Sequence, residues 1–179
     1  MQTAKELPEE LDVTNPLHVE WIKSSRDPLI WHEAAVAALA YMGDKHGFLP
    51  WLVEQPELDR ATAGWLFLWC AGERYLSGQK DGFYAKIPDD RVLELTKEIC
   101  WRSENGEFGS ERAGLDTSFE ETREKCLKLI SNGQIADGVV APRALLSKPF
   151  QSQNGNGKYF VSDGMLVNSS FMSGLLGWA

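Results

Sequence analysis

The stretch WLVEQPELDRATAGWLFLW, residues 51–69, constrains the fold more than any other part of the chain. It holds a helix end, a turn, a helix start and the beginning of a nearly all-apolar helix. Pro56 stops the first helix because it has no N–H to donate and its ring clashes with the turn before it. Asp59 stands where a side-chain oxygen can accept from the free N–H groups of the next helix. From Ala61 to Ala71 the sequence is apolar nearly all round, and a helix of that kind has to be surrounded by protein. These features predict a central helix over residues 60–76, with Trp51, Trp65 and Trp69 as core rings and Thr62 as a packing residue. Gly64 and Gly72 each cost a helix about 1 kcal/mol relative to alanine. Close approach by neighbouring helices is the expected compensation.

Other helices are announced by their caps. Asn15-Pro16 and Asp27-Pro28 each set an Asx cap before a proline at the first helical position, where its missing N–H is harmless. They predict helices to about Ser25 and Tyr41, the second closed by Gly43. A short helix from Phe48 precedes Pro56. Pro88, Asp89 and Asp90 open a helix carrying the stripe Val92, Leu95 and Ile99. Thr117 and Glu120 have the spacing of a capping box, in which each side chain caps the other's N–H. That helix should turn Cys126, Leu127 and Ile130 inward and end at Gly133. The fold class read from this pattern is mainly α, a helical bundle around the central helix.

The remainder differs in composition. After a helical domain over 1–149, Gln151–Gly157 reads as a flexible linker. Asp163-Gly164 between two short β-prone runs is a two-residue hairpin signal. Phe171–Ala179 is apolar and uncharged, and must dock on the body, another subunit or a partner. The tail leaves the oligomeric state open.

Charge narrows the partners. The chain's net charge is −8. Residues 1–130 hold 24 acids and 15 bases, a net −9, whereas residues 131–179 hold two acids and three bases. An acidic body repels phosphate backbones, so nucleic acid is not an expected partner, and a basic protein is. The candidate contacts are Glu9, Glu10, Asp89, Asp90, Glu120, Glu121 and Glu124. No apolar run approaches the roughly 20 residues a membrane helix needs. The polar, acidic opening MQTAKELPEELD is unlike a secretory leader, and three widely spaced cysteines suggest reduced thiols. A cytoplasmic protein is expected.

No catalytic, cofactor or metal motif stands out. His18, His32 and His46 lack a nucleophile at a known spacing, and the glycine-bearing loops lack a phosphate-loop ending. The acids at 89–90 and 120–124 sit at helix starts, where they complement the helix dipole. An enzyme would need a tryptophan-lined pocket with His32 or His46 as general base.

The pattern Trp51, Pro56, Leu58-Asp59, Ala61-Thr62-Ala63, then Phe67-Leu68-Trp69, resembles an uncharacterised bacterial family, domain-of-unknown-function family 4274, over about residues 17–80. It departs from the family's pattern at Leu58 and Gly64. The resemblance brings no catalytic residue. It implies a small acidic bacterial protein of toxin–immunity neighbourhoods, an immunity-type module that neutralises a basic toxin by contact. An enzyme, or a scaffold that oligomerises through its tail, is the alternative.

Overall fold

In the computed structural model, which describes residues 7–153, 155 and 157–171, both Asx-Pro pairs act as caps. Asn15 accepts from the Leu17 N–H at 2.9 Å, and Asp27 from the Leu29 N–H at 3.0 Å. They start α1 (Pro16–Ser24) and α2 (Pro28–Val36). α2 runs on as a π-helical segment, Ala37–Met42, that stops at Gly43 with φ 78°. Next comes α3 (Phe48–Val53), then α4 (Arg60–Leu66). The latter is capped by Asp59, which accepts from the Ala61 N–H at 2.9 Å.

Every residue of α4 is buried, so the central position read from its composition is correct. The single helix expected over 60–76 is not. Phe67–Ala71 is π-helical, and Gly72, at φ 42°, turns the chain into α5 (Gly72–Leu76). Only glycine takes that backbone conformation without strain. Gly64 also has a reason other than the expected one. The body closest to it is the Phe150 ring, which occupies the place a Cβ would take, and not a neighbouring helix. Around α4, Trp65 stacks on Trp69 at 5.5 Å and Trp31 meets Trp51 edge-on at 5.1 Å.

α6 (Asp89–Glu104) and α7 (Phe119–Ser131) flank this centre, with α8 (Arg143–Leu146) behind them. The capping box expected for α7 does not form. Asp116 accepts the Ser118 N–H at 2.8 Å, and the Glu120 carboxylate pairs with Arg123 instead of reaching back. Cys126 is buried, while Leu127 and Ile130 are half-buried against the core.

Two buried arginines fasten α8 and the chain after it, and a third fastens the end of α3. Arg60 reaches the carbonyls of Leu145 (2.7 Å), Lys148 (2.5 Å) and Pro149 (3.3 Å) and the Glu111 carboxylate (2.6 Å). Arg123 reaches the Leu146 carbonyl at 2.6 Å. Arg102 holds the end of α3 through the carbonyls of Val53 (2.6 Å) and Gln55 (2.9 Å). A helix end leaves carbonyls without partners, and cations there are favoured by the dipole. The segment read as a flexible linker begins fixed. Leu115 and Ser152 form a parallel bridge, and the Leu115 N–H donates to the Gln151 carbonyl at 2.8 Å.

The hairpin forms as expected. β2 (Tyr159–Ser162) and β3 (Met165–Asn168) are antiparallel, with Phe160 opposite Val167. Asp163 and Gly164, at φ 51° and 84°, make the left-handed turn that matches strand twist. A third strand, β1 (Glu10–Leu11), was not foreseen. It pairs with β3, so the sheet order is β1-β3-β2. The hairpin is built into the body. β2 packs on α2, Lys158 pairs with Asp27 at 2.9 Å, and the Tyr159 hydroxyl donates to the Pro8 carbonyl at 2.7 Å. The fold is thus mainly α with one small antiparallel sheet. Of the apolar tail, Phe171 is exposed and residues 172–179 lie outside the described residues. Among the described residues no helix is long and apolar enough to cross a membrane.

Candidate functional site

A groove of about 710 Å³ runs between α3 and α6. Its edges are set by local chemistry. Asp44 accepts from the N–H groups of Phe48 (2.8 Å) and Leu49 (2.9 Å), which starts α3 against the turn at Gly43. The Lys86 N–H donates to the Leu39 carbonyl at 2.8 Å and anchors the loop before α6. Arg102 joins the far end of α3 to α6, so the groove's width is fixed at both ends. Its floor is apolar, formed by Met42, Pro50, Val53, Ile87 and Leu95. Its rim carries Glu54, Glu94 and Glu98 against Lys45, Lys86 and Arg91. Trp101, 56% exposed, shares a helix face with Glu94 and Glu98 one turn further along α6.

The seven acids singled out from the sequence stand on three separate elements and line no part of this groove. Glu9 and Glu10 are exposed beside and on β1. Asp90, Glu121 and Glu124 are exposed on α6 and α7, with Glu121 paired to Lys125 at 2.7 Å. Two others also carry bonds that hold the fold. Asp89 holds the loop before α6 by accepting from Gly82 (3.0 Å) and Phe83 (3.1 Å). Glu120 is tied to the buried Arg123, which holds its carboxyl below the usual range. The groove acids were missed because Glu94 and Glu98, four apart on the outer face of α6, look like any solvated helix face.

The residues of the Trp51–Trp69 signature have structural work. Asp59 is 1% exposed and accepts from the backbone N–H of Arg112 as well as of Ala61, so it clamps a loop as well as capping α4. Burial pushes its carboxyl up, opposed by those N–H groups. Thr62 shares a 2.9 Å hydrogen bond with His32 Nδ1.

The histidines separate clearly. His18 Nδ1 accepts from the Asp12 N–H at 2.9 Å, and His46 Nε2 donates to the Thr14 carbonyl at 2.8 Å. His32 is 4% exposed, and burial pushes it down to about 4, so it is neutral at pH 7. It borders a second cavity of about 320 Å³ with Glu33, Tyr159 and Phe160. No tryptophan lines that cavity among its described residues. Trp31 meets Trp51, and Trp65 of α4 stacks on Trp69. Cys100 and Cys126 are buried, which pushes both thiols up to about 12 and leaves them poor nucleophiles. Among the described residues no group of three or more histidines, cysteines or acids is placed to hold a metal ion. Comparison with known protein families, curated proteins and solved structures finds no match for this chain.

Proposed function

We propose that this protein is a protein-binding module that docks a segment of a partner in the groove between α3 and α6. The observation that carries the reading is the groove's lining, an apolar floor between charged rims, with an exposed tryptophan one turn beyond Glu98 on α6. That composition matches an interface core ringed by polar residues, where aromatic side chains are enriched. The fitting segment presents an apolar side chain to the floor and charges of both signs to the rims. The net −9 of residues 1–130 favours a partner that is basic as a whole. Such complementarity acts mainly on the association rate. The resemblance to domain-of-unknown-function family 4274 supports the narrower form, an immunity-type protein that neutralises a basic toxin in the cytoplasm. Neither nucleic acid nor a membrane suits this acidic surface.

The test is co-purification of tagged full-length chain from its native host, repeated with Glu94→Lys/Glu98→Lys. The reading expects one stoichiometric basic protein, recovered with the unaltered chain and lost with the double variant. No stoichiometric partner, or one held equally by both chains, would sink it.

A further inference from the structure

The cavity beside His32 shares no lining residue with the groove and has a different character. It lies where α2 meets β2 and the chain before it. Glu33 is the one charged side chain among its described lining residues, which include no lysine or arginine. Lys158, which precedes Tyr159, is engaged elsewhere, paired with Asp27 at 2.9 Å. The remaining described walls carry no formal charge at pH 7. Tyr159 and Phe160 line the cavity, and the Tyr159 hydroxyl is already bonded to the Pro8 carbonyl. His32 is held by Thr62 at Nδ1 and is neutral at pH 7. Gln153, Gly155 and Gly157 add amide groups.

We infer that this cavity binds a small organic cation, an ammonium or guanidinium group, with the Glu33 carboxylate as its counter-charge. Glu33 is half-buried and has no ion pair among the described residues; a partly desolvated carboxylate of this kind is destabilising, and a ligand cation offsets that cost. Burial pushes the Glu33 carboxyl up to about 7, opposed only by the Val161 backbone N–H, as expected for an acid with no cation beside it. A volume of about 320 Å³ is at the lower end of ligand pockets, which span roughly 300–1,000 Å³. The ligand is therefore metabolite-sized and not a folded partner.

The test uses methylammonium and methylguanidinium chloride, with N-methylurea as the neutral counterpart. Ionic strength is held constant with sodium chloride. NMR follows the Val161 amide and the His32 ring, both at the cavity, together with groove residues as a control. At least one cation should give saturable shifts at these two sites with a millimolar Kd, as small ligands have little contact area. N-methylurea should bind at least about tenfold more weakly, and Glu33→Gln should weaken the cation by about tenfold or more, each a loss of about 1.4 kcal/mol. The variant's fold is checked by the rest of its spectrum. Absence of saturable shifts, an equal response to N-methylurea, or undiminished affinity in a folded Glu33→Gln overturns the inference. None of these outcomes bears on the groove, whose residues report separately.

Discussion

At the junction of α4 with the chain after α8, Arg60 is enclosed by three carbonyls, the Glu111 carboxylate and the Phe150 ring 4.1 Å away. In the groove between α3 and α6, Lys45, Lys86 and Arg91 make no ion pair among the described residues. Both regions are rich in charge, yet charge holds the fold together in one and remains available at a rim in the other. A residue's sign in the sequence does not separate these roles. What separates them is whether the backbone nearby has left carbonyls unpaired. α8 is one turn long and ends in a run of such carbonyls, so arginines are drawn in. At the end of α3 the same need is met by the buried Arg102 of α6, and Lys45, Lys86 and Arg91 are left on the outside.

The sharpest way to break this contrast is Arg60→Ala. Glu111 has 8% side-chain exposure and would be left buried without its cation, and the carbonyls of Leu145 and Lys148 would lose their donor. Removing one partner of a buried ion pair costs about 3–5 kcal/mol. Urea denaturation should show a loss of that size. A loss below about 1 kcal/mol would mean the junction is no more structural than the rim.

Glu33→Gln is next. The Glu33 carboxyl rises from 4.5 to about 7 on folding. Between those values the folded state binds more protons than the unfolded one, so Glu33 makes the protein less stable as pH rises through that window. His32 acts in the opposite sense. It falls from 6.5 to about 4, so its contribution is complete above 6.5 and is lost as pH drops toward 4. Glutamine does not titrate, so the variant's advantage over the unaltered chain should grow from pH 5 to pH 8, to at most roughly 3 kcal/mol. Thermal melts across that range measure it. A difference that is flat with pH would show that Glu33 titrates as an ordinary surface acid.

Gly64→Ala should have a smaller effect, and its sign should depend on a partner. The Phe150 ring fills the place of the new methyl, and overpacking costs about 1–3 kcal/mol. Against that, alanine favours the helix by about 1 kcal/mol. The single variant should be destabilised. In a Phe150→Leu background the same change should become neutral or stabilising, because the ring is gone. If the effect is the same in both backgrounds, Phe150 is not what reserves the site for glycine.

Much of the fold was legible because local chemistry and tertiary structure agree where caps and turns decide. Asn15, Asp27 and Asp59 cap as their types require, and Asp163-Gly164 makes the turn its φ values allow. The pattern failed where distant chain segments decide. Nothing in Glu10-Leu11 announces a strand, because two residues become one only when β3 offers an edge. Thr117 and Glu120 have capping-box spacing, yet the buried Arg123 is the stronger partner for Glu120. The break at Gly72 was hidden inside a continuous apolar run, where periodicity carries no phase. The candidate groove was less legible than the fold. Its walls come from two helices far apart in sequence, and Glu54, Glu94 and Glu98 become neighbours of one space only after α3 has been pinned to α6 by Arg102.

The last prediction concerns that groove and is nearly silent in stability. Glu94 and Glu98 are on the outer face of α6 and make no ion pair among the described residues. Surface changes of this kind usually stay within about 0.5 kcal/mol. Glu94→Lys/Glu98→Lys should therefore melt like the unaltered chain, while its capture of a basic partner falls as two attractive charges become repulsive. The fall should appear first in the association rate and shrink as salt is raised, since exposed charges are screened within about 8–10 Å at physiological ionic strength. The same double change cannot act through the Arg60 junction, because neither side chain touches the residues that form it. Stability lost together with binding would place these acids in the structural class and remove the distinction between the two regions. Binding lost alone, with a salt-dependent association rate, would establish that the rim charges were left free for a partner.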